Sequence, residues 1–184
     1  MGSWGFGIFE NDSAQDVLWK YHRFAMDILG ETFNISDEVC VEEYGEKYSE
    51  EIALKIIDYG IKEEGYMSFA IQSELDSLDK NGGWGCSESV IALAKLEYLI
   101  TGDVIEKERV IKVIQNFLGK EASYNVIQDV KNNRIINGDK SLFVEQQELL
   151  ESLINNIKPK KLKSYREAIS EAMGCDIFQL GSDI

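Results

Sequence analysis

Histidine and proline each occur once in the 184 residues, as His22 and Pro159, and cysteine only three times, as Cys40, Cys86 and Cys175. A lone histidine excludes a multi-histidine metal centre, and three widely separated cysteines without Cys-x-x-Cys spacing exclude a disulfide framework. The thiols are expected to be small buried hydrophobes of a reducing compartment. No apolar run approaches the roughly 20 residues that span a bilayer. The opening Met1-Gly2-Ser3-Trp4-Gly5 has neither the basic nor the apolar region of a secretory leader, so a cytoplasmic protein is expected. Phosphate-binding glycine loops are missing as well. Gly5-Phe6-Gly7 and Gly82-Gly83 match neither Gly-x-Gly-x-x-Gly after a strand nor a loop closed by Lys and Ser or Thr.

What is present is the composition of one globular domain, 44% hydrophobic, 28% charged and 10% aromatic. The net charge of −14 is unevenly spread. Residues 1–103 hold 21 Asp or Glu against 7 Lys or Arg, whereas 104–184 hold 12 against 12. The densest acidic stretch, from Glu31 to Glu64, includes Glu42, Glu43, Glu46, Glu50 and Glu51 and is opposed only by Lys47, Lys55 and Lys62. Such a field repels phosphate, so neither nucleic acid nor an anionic membrane is expected as a partner. A basic protein is the natural counterpart, because acidic surfaces speed encounter with cationic proteins; the bland alternative is a solvated, solubilising face.

Apolar spacing predicts a mainly α, single-domain bundle of about seven helices behind an extended N-terminal segment. Gly2 to Phe9 alternates glycines with large apolar residues and cannot be a good helix. Asn11-Asp12-Ser13 then caps a helix carrying Val17, Leu18, Tyr21, Phe24, Ala25, Ile28 and Leu29, closed by Gly30. Further helices are expected over Ser49–Glu64, with Ile52, Ile56, Ile57 and Tyr59 inward, and over Tyr66–Leu78. The breaker cluster Asp79-Lys80-Asn81-Gly82-Gly83 marks a possible subdomain break near 80–85. Ser87 to Ile100 has so broad an apolar stripe that it reads as a central, buried helix. Asp103 and Glu106 resemble a capping box for a helix ending at Gly119, with a short helix about Val126–Val130 after it. Ile135-Ile136 beside Asn137-Gly138 is compatible with a hairpin arm. Ser141 begins a helix that Pro159 stops, and Ser164-Tyr165-Arg166-Glu167 caps a last helix through Met173.

The run from Trp4 to Asp16, with Trp4, Gly5, Gly7, Phe9, Asn11, Asp12 and Asp16 at its fixed points, resembles the start of an uncharacterised bacterial family, domain of unknown function 4259. Its members open with Trp-Gly-x-Gly-x-Phe-x-Asn-Asp-x-x-x-Asp, and the stretch with Ala92, Ala94 and Glu97 resembles the family's alanine-rich middle. The resemblance implies a fold more than an activity. Physically, Trp4, Phe6 and Phe9 are expected to plug the bundle while Asn11 or Asp12 accepts helix N–H groups and Asp16 complements the dipole. The functional alternative is a ligand or cation site, although the spacing is not that of a calcium loop. Gly82-Gly83-Trp84-Gly85 echoes Gly2-Ser3-Trp4-Gly5 as a shared local solution, not as a duplication.

No catalytic set emerges. Asp16 and His22 are six apart, which is not a same-face separation, and Cys86, near a helix start, has no sequence-local partner. The leading expectation is therefore an acidic, non-enzymatic protein-binding module without metal or cofactor, most concretely an immunity protein that neutralises a basic bacterial toxin such as a nuclease. Glu42, Glu43, Glu46, Glu50 and Glu51 would meet the partner, with Tyr44 and Tyr48 as aromatic anchors. The alternative is a small-ligand protein or enzyme with its site at Trp4, Asn11, Asp12 and Asp16, joined by Trp84 or Cys86. A third is a structural subunit whose tail Ile177-Phe178-Gln179-Leu180 docks on a second copy; the oligomeric state stays open.

Overall fold

The computed structural model describes residues 6–33, 46–80, 87–131 and 143–175, with side chains described outside 26–33, 46–53 and 120–131. These residues form seven helices and no strand: α1 (Asp12–Phe33), α2 (Glu46–Lys62), α3 (Tyr66–Lys80), α4 (Ser87–Thr101), α5 (Lys107–Lys131), α6 (Val144–Ile154) and α7 (Tyr165–Met173). Residues 6–10 precede α1 as turns. No described helix is long and apolar enough to cross a membrane.

The bundle is organised around α4, which touches α1, α2, α3, α5 and α7. From Ser89 to Ile100 every residue of α4 is buried except the half-buried Lys95. A helix apolar on nearly all sides must be surrounded, which is what its broad stripe predicts. Ser89 ties its start to α1, its hydroxyl donating to the Ser13 carbonyl at 3.2 Å. Lys95 carries its stem past Tyr98, with Nζ 5.9 Å from the ring centroid, and burial lowers its pKa against the raising influence of Glu145, Glu148 and Glu171.

Several boundaries differ from those read in the sequence. Helix α1 continues through Gly30 to Phe33, and α5 runs unbroken through Gly119 to Lys131, so the two expected helices there are one. An interior glycine costs about 1 kcal/mol, too little by itself to end a helix. Helix α2 starts at Glu46, earlier than Ser49, and places its acidic first turns where a helix dipole favours them. The Asp103–Glu106 capping box does not form. Asp103 instead accepts from the Val104 N–H at 2.8 Å and pairs with Lys107 at 2.7 Å, and the helix begins at Lys107. Helix α6 ends at Ile154, and Pro159 lies in the loop beyond. Residues 34–45, 81–86, 132–142 and 176–184, which include the possible hairpin, the subdomain break and the apolar tail, lie outside the described residues.

One glycine inside a helix has a packing reason. A Cβ on Gly60, in α2, would lie 2.6 Å from Tyr66 Cδ2 and 2.7 Å from its Cε2. Alanine there would gain about 1 kcal/mol of helix propensity, but displacing the ring costs about 1–3 kcal/mol. Gly60→Ala is therefore expected to destabilise by about 1 kcal/mol, whereas the same change at Gly119, with nothing within 4 Å of its Cβ position, is expected to stabilise. Urea unfolding of both variants checks the contrast in sign.

Candidate functional site

Two helices that belong to the acidic half of the chain leave a groove between them. On α1, Val17 and Tyr21 are buried and line the groove together with Leu93 of α4, while Trp19, Lys20, Arg23 and Phe24 stand around it. On α3, Phe69, Ala70, Ser73 and Glu74 form the opposite wall, and the open hollow between them measures about 580 Å³. A second hollow of about 510 Å³, lined by Phe69, Gln72, Ser73, Asp76, Ser77 and Lys80, adjoins it through Phe69 and Ser73. The groove's aromatics are conspicuously exposed: Trp19 40%, Phe24 52% and Phe69 65%.

The polar rim is nearly balanced. Lys20 Nζ reaches across to Glu74 at 3.1 Å, linking the two walls. Farther along α3, Asp76 and Asp79 hold Arg109 of α5 at 2.9 and 2.8 Å. The groove is thus an apolar seat that charge does not fill.

The N-terminal motif is bound into the bundle by its polar groups. Asn11 Oδ1 accepts from the Ala14 N–H at 2.8 Å, capping α1, and its Nδ2 donates to the Ile8 carbonyl at 3.3 Å. Gly7 and Glu10 close a turn, the Gly7 N–H donating to Glu10 Oε2 at 2.8 Å. Phe9 is half-buried against the core, Asp12 lies in the first turn of α1, and Asp16 is exposed. Among the described motif residues the plug is Ile8, 1% exposed, and not Phe6, which is 39% exposed and meets Phe143 edge-on at 5.5 Å. Trp4 and Gly5 lie outside the described residues.

What the sequence did not reveal is the set of distant side chains that clamp this segment. Glu145 accepts from the Ile8 N–H at 2.8 Å, Gln146 donates to the Phe6 carbonyl at 3.1 Å, and Gln15 donates to the carbonyls of both Phe9 and Ala172 at 2.9 Å. These partners lie up to 157 positions away in the chain, beyond any local spacing rule.

Of the expected partner-binding residues, Glu42, Glu43 and Tyr44 lie outside the described residues. Glu46, Tyr48, Glu50 and Glu51 fall in the first turns of α2, where their side chains are not described. Tyr59, expected inward, is 58% exposed, and Ile57 takes the buried position. His22 is half-buried and shares a 2.8 Å hydrogen bond with the Tyr165 hydroxyl, its pKa lowered by burial. Cys86 and Trp84 lie outside the described residues, and Cys175 is exposed.

The most perturbed acid is Glu97, on α4, 1% exposed. Burial, with Asp103 and Glu106 adding to it, pushes its carboxyl up to about 7 against the lowering effect of the Ile105 N–H. That N–H donates to Glu97 Oε2 at 3.3 Å. It lines neither hollow of the α1–α3 groove. Among the described residues no three His, Cys, Asp or Glu side chains converge to hold a metal ion.

Comparison with protein-family models, with curated proteins and with solved structures finds no match to this chain.

Proposed function

We propose that the chain is a protein-binding module with a basic protein as partner, and that the groove between α1 and α3 receives that partner's apolar side chains. The observation that carries this reading is the exposure of Trp19, Phe24 and Phe69 around one hollow, in the half of the chain that holds the entire charge excess. Aromatic residues at a concave, desolvatable patch are the usual seat of interface binding energy. The acidic excess supplies the other component, long-range attraction of a cationic surface and rejection of anionic ones.

In its most concrete form the module is an immunity protein for a basic bacterial toxin such as a nuclease, whose phosphate-binding surface an acidic inhibitor would cover. Because the groove's own rim is nearly balanced, anchoring and steering are separable. Phe24→Ser with Phe69→Ser is expected to weaken binding at least about tenfold, through faster dissociation. Glu46→Lys with Glu50→Lys and Glu51→Lys is expected to slow association and flatten its salt dependence. The partner is first captured from the source cells at low and high salt and identified by mass spectrometry, and its rates are then measured against both variants. A captured protein that is not basic, or whose dissociation ignores the groove variant, would sink the reading.

A further inference from the structure

The loop between α6 and α7 places Lys158, Lys160, Lys161 and Lys163 within six positions of a chain whose net charge is −14. Its backbone is held at both ends. The Ile157 N–H donates to the Ser152 carbonyl at 2.9 Å, the Tyr98 hydroxyl donates to the Ile157 carbonyl at 3.1 Å, and the Lys163 N–H donates to the Leu99 carbonyl at 2.9 Å. Lys107 Nζ donates to Asn156 Oδ1 at 2.9 Å. The loop also rests on the turn that ends α4. Gly102 has φ +84°, and a Cβ there would stand 3.2 Å from Leu162 Cδ2 and 3.8 Å from Lys158 Cδ. Glycine suits that turn, since the left-handed backbone and the close approach both disfavour a side chain.

This anchored loop turns apolar and basic groups outward together. Ile154, Ile157 and Leu162 are 50%, 54% and 48% exposed, alongside exposed Lys158, Lys160 and Lys161. Lys161 and Lys163 pair with Glu167 and Glu171, and Lys107 pairs with Asp103. Among the described residues no carboxylate lies within ion-pair distance of Lys158 or Lys160, although Asp103 feels the Lys158 charge, so the ridge presents two ammonium groups without a direct ion pair beside three exposed aliphatic side chains.

We infer that this ridge is a second docking surface, and that its occupant is an acidic peptide segment with aliphatic side chains between its carboxylates. The pairing follows from complementarity: carboxylates meet Lys158 and Lys160, and the intervening side chains cover Ile157 and Leu162. Because the loop is already ordered, binding does not have to order it, which removes a usual cost of association. A bilayer fits less well. Lys158 and Lys160 provide at most about 1 kcal/mol each near an anionic surface, whereas an extended anionic plane also meets the field of the whole −14 chain. A short segment touches the ridge alone. The inference is independent of the α1–α3 groove, and neither depends on the other being occupied.

The test uses the full chain, isotope-labelled, and a synthetic twelve-residue peptide alternating glutamate pairs with leucine. The expected result is a micromolar Kd with resonance shifts confined to residues 154–163 and the Gly102 turn. Affinity is expected to fall about tenfold or more for Lys158→Glu with Lys160→Glu, and to weaken with salt in the wild type. Ile157→Ser with Leu162→Ser is expected to lower affinity while keeping the salt dependence. Both substitutions are on exposed side chains, and circular dichroism checks that the fold is retained. No binding, equal binding by the charge-reversed protein, shifts centred on α1 and α3, or stronger attachment to phosphatidylserine vesicles than to the peptide would each overturn it.

Discussion

Replacing Glu97 by glutamine is expected to abolish most of the loss of stability that the wild-type protein suffers as pH rises from 4.5 to 7. In the folded chain this carboxyl titrates at about 7, whereas the ordinary value, which the unfolded chain approaches, is 4.5. Across that window the folded state therefore holds a proton that the unfolded state has released, and stability must fall as pH rises. The contribution is fully present below pH 4.5 and gone above about 7. A difference of this size corresponds to about 3 kcal/mol, a substantial part of the 5–15 kcal/mol that holds a typical domain together.

Two other effects share the pH range, and the variant separates them. His22, whose pKa is lowered by burial, acts with the opposite sign: its folded form resists protonation, so it costs stability as pH falls through the ordinary histidine value of 6.5. Self-repulsion of a −14 chain grows with pH and works in the same direction as Glu97. Both are nearly the same in the wild type and in Glu97→Gln, so the difference between their urea-unfolding curves at pH 5, 6, 7 and 8 isolates the carboxyl. The glutamine amide keeps an oxygen for the Ile105 N–H, and the variant is expected to be the more stable protein at pH 8. Parallel pH profiles for the two proteins would show that Glu97 is ionised in the fold at ordinary pH and that its burial is relieved in some other way.

Glu97 also marks where sequence reading stops. Its neighbours at helical spacing, Leu93, Ala94 and Ile100, are apolar, but so are Ile91, Ala92, Tyr98 and Leu99 around Lys95. Both are single charges in an apolar helix. Lysine has a stem long enough to lead its charge outward, and only the packing of α1, α2, α3, α5 and α7 on α4 decides that the glutamate stays inside. What local chemistry dictates was legible: the surrounded α4, the Asn11 cap, and the Ser164–Glu167 capping box, in which the Glu167 N–H donates to Ser164 Oγ at 3.2 Å and the Ser164 N–H to Glu167 Oε2 at 2.9 Å. The groove was not legible for the converse reason. Phe24 follows the apolar stripe of α1, whereas Phe69 falls on the side of α3 away from the buried Met67, Ile71, Leu75 and Leu78, and periodicity names a face without saying what stands beside it. Their exposure, which carries the proposed function, becomes visible only when α1 and α3 are placed side by side.

The other large effect is expected at Tyr165. This ring is fully buried, stacks at 6.0 Å on His22, lies 6.3 Å from Tyr21, and begins α7, whose nine residues are too few to hold a helix in water unaided. The helix is kept in place by what touches it: Tyr165 in the core, Asp58 of α2 accepting from the Tyr165 N–H at 2.8 Å, and Gln15 of α1 donating to the Ala172 carbonyl at 2.9 Å. Tyr165→Ala should cost about 3–5 kcal/mol by removing the ring and leaving a cavity at the α1–α7 seam. For a domain of this length that lowers Tm by about 10 °C. Tyr165→Phe keeps the ring and loses only the hydroxyl's 2.8 Å hydrogen bond to His22, so it should cost about 1 kcal/mol. Asp58→Ala removes the partner of the first N–H of α7 and should cost about 1–2 kcal/mol. Since all three changes act on one short helix, Tyr165→Ala and Asp58→Ala are expected to sum to more than their double variant loses: once α7 has detached, the second contact has nothing left to hold. Amide exchange over residues 165–173 would then show that helix opening well before α4. Additive losses, with exchange of α7 and α4 still rising together, would mean that α7 unfolds only with the whole bundle and that its anchors act through the common core.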